Sequence, residues 1–246
     1  MSDHRKPPFE LDRRTAILGA TVLTSVGASL QAKAQERPVI DASTALIVVD
    51  VQNDFCPGGA LAVAKGDEVV AVINAMAKRF QNVVLTQDWH PAGHSSFATS
   101  HAGKKPFDLV TMPYGPQVLW PDHCIQGTKG AEFRADLDIP HAQTIVRKGY
   151  RKEVDSYSGF LEADRKTVTG LGGYLKERGI TRTVVVGLAT DFCVNWTAQD
   201  SAKAGLATFV VEEGARAIDL NGSLAKAWAD MAALGVKRIK VTDLPA

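Results

Sequence analysis

One cysteine in this 246-residue chain stands where a nucleophile could be activated. Cys193 comes shortly after the apolar residues 183–187, which are typical of a strand, and falls in the first turn of a predicted helix. Backbone N–H groups and the dipole at a helix N-terminus stabilise a thiolate, and the same N–H groups can form an oxyanion hole. A cysteine after a strand is also often a small buried apolar residue, so both interpretations remain open at this point.

Two charged residues also follow predicted strands. Asp50 ends the apolar run 45–50, and Lys148 follows the strand 144–147. A carboxylate beside a thiol can act as its general base, and an ammonium group favours both the thiolate and the ionised carboxylate. Taken singly, Asp50 could cap the following loop and Lys148 could be solvated. Because parallel strands present their carboxyl ends at one edge of a sheet, however, the three strand ends would bring base, cation and nucleophile together.

A third group of residues has the composition of a metal site. Asp88 and His90 follow the predicted strand 82–86, and His123 lies in the sequence WPDHC. One aspartate and two histidines are a recognised ligand set for a divalent transition metal, with positions left open for water or substrate. The set suits zinc, iron or manganese. Because Asp-x-His pairs are also frequent by chance, the spacing alone does not decide the matter.

The elements that must position these residues are strands and helices that alternate along the chain. The predicted strands are residues 45–50, 82–86, 144–147, 183–187, 207–211 and 237–241. The predicted helices are residues 67–80, 168–178, 191–204 and 223–233. The alternation predicts an α/β fold with three layers (α/β/α) around a mostly parallel six-stranded sheet. The long segment 89–141 lacks periodicity, and a loop of that length is more often functional than idle.

The composition restricts the classes of partner. The chain has 28 Lys and Arg against 27 Asp and Glu, and no basic block, so nucleic-acid binding through phosphate contacts is not expected. Three cysteines are too few for a disulfide-built scaffold. We therefore expect an ordinary globular domain. The oligomeric state, a homo-oligomer included, is left open by the sequence.

The N-terminal residues 1–34 have the layout of an export signal. A polar region ends in the pair Arg13-Arg14, residues 15–30 carry no charge, and Ala32-Lys33-Ala34 offers small residues for cleavage. The arginine pair resembles a twin-arginine signal. The alternatives are a membrane anchor and an inert tail, but sixteen uncharged residues are short for a bilayer span. We predict a cleaved signal, a single domain over residues 35–246, and an exported or periplasmic protein without stable membrane insertion.

Six motifs together give a more specific indication. They are ALIVVDVQNDFCPGGAL, TQDWHPAGHSSF, WPDHCIQGT, RKG, YSGF and VVVGLATDFCV. In order and approximate spacing the chain resembles the nicotinamidase/pyrazinamidase family of the isochorismatase-like hydrolases, over residues 45–244. The resemblance implies an isochorismatase-like sheet with Rossmann-like strand order. It also implies a metal-dependent cysteine amidohydrolase that converts nicotinamide to nicotinate and ammonia through a thioester, and that also accepts pyrazinamide.

The resemblance also assigns roles to residues of this sequence. The catalytic residues would be Asp50, Lys148 and Cys193. The ligands of one divalent metal ion would be Asp88, His90 and His123, with His94 as an additional metal or substrate contact. The oxyanion hole would be formed by the N–H groups of Ala189 and Cys193, aimed by a cis peptide bond between Leu188 and Ala189. The aromatic residues that hold the substrate ring would be Phe55, Trp120 and Tyr157.

Two alternatives to this function have different consequences for the site. A related amidohydrolase acting on a ureido or carbamoyl substrate would share Asp50, Lys148 and Cys193. Such relatives generally lack the Asp-x-His pair and the distal histidine, which this chain has. A silent ligand-binding protein on the same fold would not need an intact nucleophile, base and cation. The sequence therefore favours the amidase that acts on an aromatic carboxamide.

Overall fold

Six parallel strands form the central sheet of the computed structural model, which describes residues 37–245. In chain order the strands are β1 (Thr44–Val49), β2 (Asn82–Asp88), β3 (Leu109–Met112), β4 (Gly115–Val118), β5 (Thr144–Lys148), β6 (Arg182–Leu188), β7 (Ala207–Arg216) and β8 (Lys237–Ile239). The sheet order is β5-β2-β1-β6-β7-β8, and each neighbouring pair is parallel. Strands β3 and β4 form a separate antiparallel hairpin.

Helices cover both faces of this sheet. They are α1 (Glu68–Ala77), α2 (Leu171–Glu177), α3 (Asn195–Lys203) and α4 (Ser223–Ala233). Alternate side chains of β1 enter different clusters: Leu46 and Val48 pack with α1, whereas Ile47 and Val49 pack with α2, α3 and α4. A strand buried on both faces needs a continuous apolar run, which the sequence TALIVV provides. The predicted three-layer α/β/α fold is therefore confirmed.

The structure differs from the sequence prediction in three places. The helix predicted over 191–204 begins as a π-helical turn, Thr190–Val194, before α3. Strand β7 continues to Arg216, beyond the predicted end at residue 211. The segment 89–141 contains the hairpin β3–β4, whose strands have four residues each and are largely half-exposed. Such short strands carry too few residues for a period of two to stand out in the sequence.

The register of the strands aligns the ends that carry chemistry. Val49 pairs with Thr86 on one side and with Gly187 on the other, and Asp88 pairs with Lys148. Gly187 has a φ of 117°, and a Cβ there would lie 2.0 Å from the Val49 carbonyl oxygen, so only glycine allows this approach of β1 and β6. Four strands, β1, β2, β5 and β6, therefore end side by side at one edge of the sheet.

No helix within residues 37–245 is long and apolar enough to cross a membrane. The predicted export signal, residues 1–34, lies outside the described residues. The division of the chain into that signal and one domain over residues 35–246 stays a prediction.

Candidate active site

The side chains of Asp50, Lys148 and Cys193 meet at the carboxyl edge of the sheet. Lys148 Nζ lies 2.8 Å from Asp50 Oδ2 and 3.4 Å from Cys193 Sγ. The same ammonium group donates to the Ser156 carbonyl oxygen over 3.0 Å. The side chains of Lys148 and Asp50 have no solvent exposure, and Cys193 is 5% exposed. The arrangement thus holds a base, a cation and a thiol in mutual contact, out of water.

Strand β2 fixes the orientation of Asp50. The Asp50 N–H donates to the Thr86 carbonyl oxygen over 3.2 Å, and the Thr86 hydroxyl donates to Asp50 Oδ1 over 2.7 Å. Asp50 has a φ of 48°, a left-handed conformation that aspartate tolerates better than most residues. A carboxylate oxygen of Asp50 also lies within 4.8 Å of the Cys193 sulfur. Asp50 is therefore placed to receive the thiol proton.

Burial and charge set the protonation states of these three groups. Burial raises the pKa of Asp50, although Lys148 opposes the effect. Burial also raises the pKa of the Cys193 thiol well above its ordinary value, because the nearby ammonium only partly offsets it. The pKa of Lys148 is raised well above its ordinary value, since the carboxylates of Asp50 and Asp88 outweigh the effect of burial. The resting site therefore holds a neutral thiol beside a charged lysine, and the thiol needs a base.

Asp88, His90 and His123 form a second cluster next to this one. Their ligand atoms lie within 4.8 Å of one another, with Nε2 of His90 and of His123 at 3.6 and 3.8 Å from Asp88 Oδ2. Each histidine donates through Nδ1 to a carbonyl oxygen over 2.8 Å, of Gly149 for His90 and of Pro121 for His123. These bonds leave both Nε2 lone pairs facing the Asp88 carboxylate.

The donor set fits one divalent transition metal. Burial disfavours a charged Asp88, but the Lys148 ammonium lowers the pKa of this carboxyl well below its ordinary value, so it is anionic. One anionic oxygen and two imidazole nitrogens, oriented by bonds to carbonyl groups, are ligands that zinc, iron and manganese accept. Asp88, His90 and His123 are thus the residues that would hold the ion.

A glycine behind His90 is required by this geometry. Gly149 has a φ of 65°, and a Cβ at this position would lie 2.4 Å from His90 Cε1. The carbonyl group of Gly149 can therefore reach the imidazole only because the residue has no side chain. The glycine of the RKG motif thus supports His90, although 59 residues separate the two in the sequence.

His94 lies beside the ligand set with both ring nitrogens in use. Its Nε2 is 2.9 Å from the Arg151 carbonyl oxygen, which can only accept, so Nε2 carries the proton. Its Nδ1 is 2.7 Å from the Ser96 hydroxyl, which therefore donates to it. The His94 ring packs on the His90 ring, with 4.4 Å between centroids. Both nitrogens are thus hydrogen-bonded, and His94 also belongs, with His90 and Asp155, to a second group whose ligand atoms lie within 4.8 Å of one another.

The residues predicted to bind the oxyanion line the same cavity as the nucleophile. The peptide bond between Leu188 and Ala189 is cis, at the position that the resemblance implied. Ala189 and Cys193 are buried, and both border the cavity. The Ala189 carbonyl oxygen accepts the N–H groups of Phe192 and Val194, each over 3.1 Å, which fixes the turn around Cys193.

Aromatic side chains enclose the cavity in front of Cys193. Phe55, Trp120 and Tyr157, which were predicted to hold a ring, all line it together with Asp88 and His123. Trp120 Nε1 donates to the Tyr157 hydroxyl over 2.9 Å, and this bond fixes the two side chains relative to one another. The cavity therefore presents aromatic faces between Cys193 and the candidate metal ligands Asp88 and His123.

Several residues of the site were missed by the sequence analysis. Those that line the cavity are Leu61, Asp155, Phe192 and Ile218. Those that hold other site residues are Gln52, whose amide pairs with both backbone groups of Asp88, and Thr86, Gln117 and Ser156. The sequence did offer a signal for three of the cavity-lining residues, because Leu61 and Phe192 lie inside matched motifs and Asp155 lies two residues before YSGF. The partners of Gln52, Gln117 and Thr86 follow only from the packing of distant segments.

The other two cysteines lie apart from the catalytic contacts. Cys56 and Cys124 are buried free thiols. Burial raises the pKa of Cys56 to about 11 and that of Cys124 well above its ordinary value. Neither has a lysine amine within hydrogen-bond distance in the described structure, in contrast to Cys193. Reactivity is thus expected at Cys193 alone among the three.

The fold and the site together define an α/β cysteine hydrolase. The isochorismatase domain matches residues 44–243 of the chain, and the protein belongs to this family. It is similar to a nicotinamidase of Acinetobacter baylyi, with 60% identity over 200 residues that cover 81% of this chain and 94% of the relative.

Two solved structures are similar to the whole domain. A nicotinamidase and pyrazinamidase of Acinetobacter baumanii shares 59% identity with a TM-score of 0.82, over 82% of this chain and 98% of the other. A pyrazinamidase of Pyrococcus horikoshii, solved in complex with zinc, shares 33% identity with a TM-score of 0.67, over 80% of this chain and 99% of the other.

Proposed function

We propose that the protein is a metal-dependent cysteine amidohydrolase that converts nicotinamide to nicotinate and ammonia, and that also hydrolyses pyrazinamide. The observation that carries this function is the cavity in which Cys193 faces aromatic rings and the ligands Asp88 and His123. An aromatic amide can place its ring between the side chains and its carboxamide carbon beside the sulfur. The similarity to enzymes that are named nicotinamidases supports the same substrate.

The first half of the reaction forms a thioester. Asp50 takes the proton of the Cys193 thiol, and the sulfur attacks the carboxamide carbon. The N–H groups of Ala189 and Cys193 stabilise the tetrahedral oxyanion. Asp50 then returns its proton to the amide nitrogen, the C–N bond breaks, and ammonia leaves. Lys148 keeps Asp50 oriented and stabilises the negative charge that passes between carboxylate and sulfur.

The second half releases the acid. Asp50 takes a proton from a water molecule as the water oxygen attacks the thioester carbon. The same N–H groups stabilise the second oxyanion, the C–S bond breaks, and the proton on Asp50 returns to the Cys193 sulfur. The products are nicotinate and the free enzyme.

In this mechanism the metal ligands contribute to the binding and orientation of the substrate. Asp88, His90 and His123 would hold one divalent ion, which when bound supplies a Lewis acid for a ring nitrogen. Zinc, iron and manganese are all compatible with the donor set, and elemental analysis of the purified protein would distinguish them.

The buried Asp88–His90–His123 set also disfavours the ureido or carbamoyl alternative, because those substrates have no aromatic ring nitrogen to bind there.

The decisive experiment is ammonia release from nicotinamide by the purified protein, with Cys193→Ala and a chelator-treated sample alongside. We expect turnover by the metal-loaded wild type, loss of turnover in Cys193→Ala, and recovery of the chelated sample on addition of a divalent metal. Activity on a ureido compound without activity on nicotinamide would establish the alternative. Activity that survives complete removal of the metal, verified by elemental analysis, would exclude the ligand set from the reaction.

We further propose that residues 1–34 direct export by the twin-arginine route, which leaves the enzyme in the periplasm after cleavage. The arginine pair, the uncharged stretch and the small residues near position 34 support this proposal. N-terminal sequencing of the protein from separated cell fractions tests it. A processed chain in the periplasm, retained in the cytosol when Arg13 and Arg14 are both replaced by lysine, is expected. An unprocessed cytosolic wild-type chain would refute export.

A further inference from the structure

Two neighbouring cavities share a wall made of Tyr157 and Phe192. One is the catalytic cavity in front of Cys193. The other, here called the outer groove, lies between the hairpin β3–β4 and the helices α3 and α4, and its lining includes Leu109, Val118 and Trp196. Both Tyr157 and Phe192 border both spaces. A side chain in such a wall determines how large a molecule the inner cavity can accept.

The two wall residues are held differently. The Tyr157 hydroxyl accepts a hydrogen bond from Trp120 Nε1 over 2.9 Å, so this ring is tied to the aromatic cavity by a polar contact. The Phe192 side chain carries no polar group and packs against other rings, with centroids 4.8 Å from Trp120 and 5.8 Å from Tyr157. Truncation of Phe192 therefore removes part of the wall and leaves no buried polar group without a partner.

The outer groove offers apolar surface and no unpaired charge among its described residues. Lys226 Nζ pairs with Asp230 Oδ2 over 2.5 Å. The Asp191 carboxylate accepts the N–H groups of Ile218 and Asp219 and the Ser223 hydroxyl. With these charges already satisfied, the groove suits a neutral apolar extension of a substrate and offers nothing to a phosphate group.

We propose that Phe192 is a specificity-determining residue that limits this enzyme to single-ring aromatic amides, an inference that rests on the proposed amidase function. The Phe192 ring closes the catalytic cavity toward the outer groove. When it is shortened, the second ring of a bicyclic amide can extend past Tyr157 against Leu109, Val118 and Trp196. The position next to Cys193 in the chain thus sets substrate size, while Cys193 itself performs the chemistry.

The test compares kcat/KM for nicotinamide and for quinoline-3-carboxamide, a bicyclic amide with the same carboxamide and ring nitrogen. The proteins are the metal-loaded wild type, Phe192→Ala, and Leu61→Ala as the matched control. Leu61 lines the catalytic cavity but not the outer groove, so its truncation enlarges the cavity without opening the wall. We expect the ratio of the two kcat/KM values to rise about tenfold or more in Phe192→Ala and to stay near the wild-type ratio in Leu61→Ala.

The experiment tests the role of Phe192 separately from the proposed amidase function. Wild-type turnover of nicotinamide tests the function, and only the ratio tests Phe192. An unchanged ratio in Phe192→Ala, or an equal rise in Leu61→Ala, would overturn the size limit at this wall. Thermal melting shows whether Phe192→Ala is folded. If it is not, Phe192→Leu, which keeps an apolar side chain, is expected to give a smaller rise in the same ratio, and no rise there would overturn the proposal.

Discussion

The edge of the sheet and the long segment between β2 and β5 place their site residues by different means. At the edge, Asp50, Asp88 and Lys148 stand at or next to the ends of parallel strands that pair in continuous register, and all three side chains are buried. In the segment, the side chains of His123 and Trp120 each make one hydrogen bond, to the Pro121 carbonyl and to the Tyr157 hydroxyl, and otherwise pack against other rings.

The difference has an energetic consequence. The edge residues belong to a charge cluster in the core, so their loss affects both chemistry and folding. The segment supplies ligands and aromatic walls whose exact position depends on individual local contacts. Changes there, and in the glycine that supports His90, should mainly weaken binding of metal or substrate. Four substitutions test this contrast, in order of decreasing expected effect.

Cys193→Ala should abolish the chemistry while it leaves both regions folded. Loss of the nucleophile is expected to lower kcat by about 10⁴-fold or more, because the remaining groups cannot form the thioester. Steady-state ammonia release measures the effect, and metal content and melting temperature should stay near wild type. Cys56→Ala is the matched control, since Cys56 is a buried thiol outside the cavity. Comparable inactivation of the two variants would contradict a nucleophile at Cys193.

Lys148→Met should affect both activity and folding, as expected of an edge residue. The substitution leaves Asp50 and Asp88 buried without the ammonium group between them. We expect a loss of about 3–5 kcal/mol in the free energy of unfolding, measured with urea, together with loss of turnover. Lys226→Met removes a surface pair with Asp230 and should change stability by less than about 1 kcal/mol. Equal stability of the two variants would show that the buried cluster is not a structural element.

Gly149→Ala should act on metal affinity. The new Cβ would lie 2.4 Å from His90 Cε1, so the imidazole must move from its bond to the Gly149 carbonyl. We expect metal affinity, measured by chelator competition, to fall about 10–100-fold. Gly173→Ala is the matched control, because nothing lies within 4 Å of a Cβ there. If Gly149→Ala binds metal as tightly as Gly173→Ala, the contact between Gly149 and His90 does not contribute to metal affinity.

Thr86→Val should have the smallest effect and should appear in the pH profile. Burial raises the pKa of Asp50, and the Thr86 hydroxyl is one of the groups that lower it. Without that donor the ionised carboxylate is less favoured, so the pKa of Asp50 rises further. Because Asp50 must be ionised to take the thiol proton, the acid limb of kcat/KM should move to higher pH by about half a unit. An unmoved limb, or an equal shift in the control Thr183→Val, would contradict this role.

Much of this protein follows from its sequence. Apart from the end of β7, the six strands of the central sheet and the four helices agree with the prediction within a few residues, because apolar runs and helical periodicity record burial directly. The motifs also indicated which residues could meet at one edge. What the pattern could not supply was the hairpin β3–β4, whose short half-exposed strands leave no clear period.

The contacts around those residues were decided by the tertiary structure. Nothing in the sequence says that Gln52 binds the backbone of Asp88, that the Gly149 carbonyl orients His90, or that both nitrogens of His94 are occupied. Each contact joins segments that are distant in the chain or depends on the path of an irregular loop. The sequence determined the residue types and the ends of the strands, since these follow from local burial. Protonation states, ligand orientation and the size of the cavity depend on distances between segments, which only the packed fold fixes.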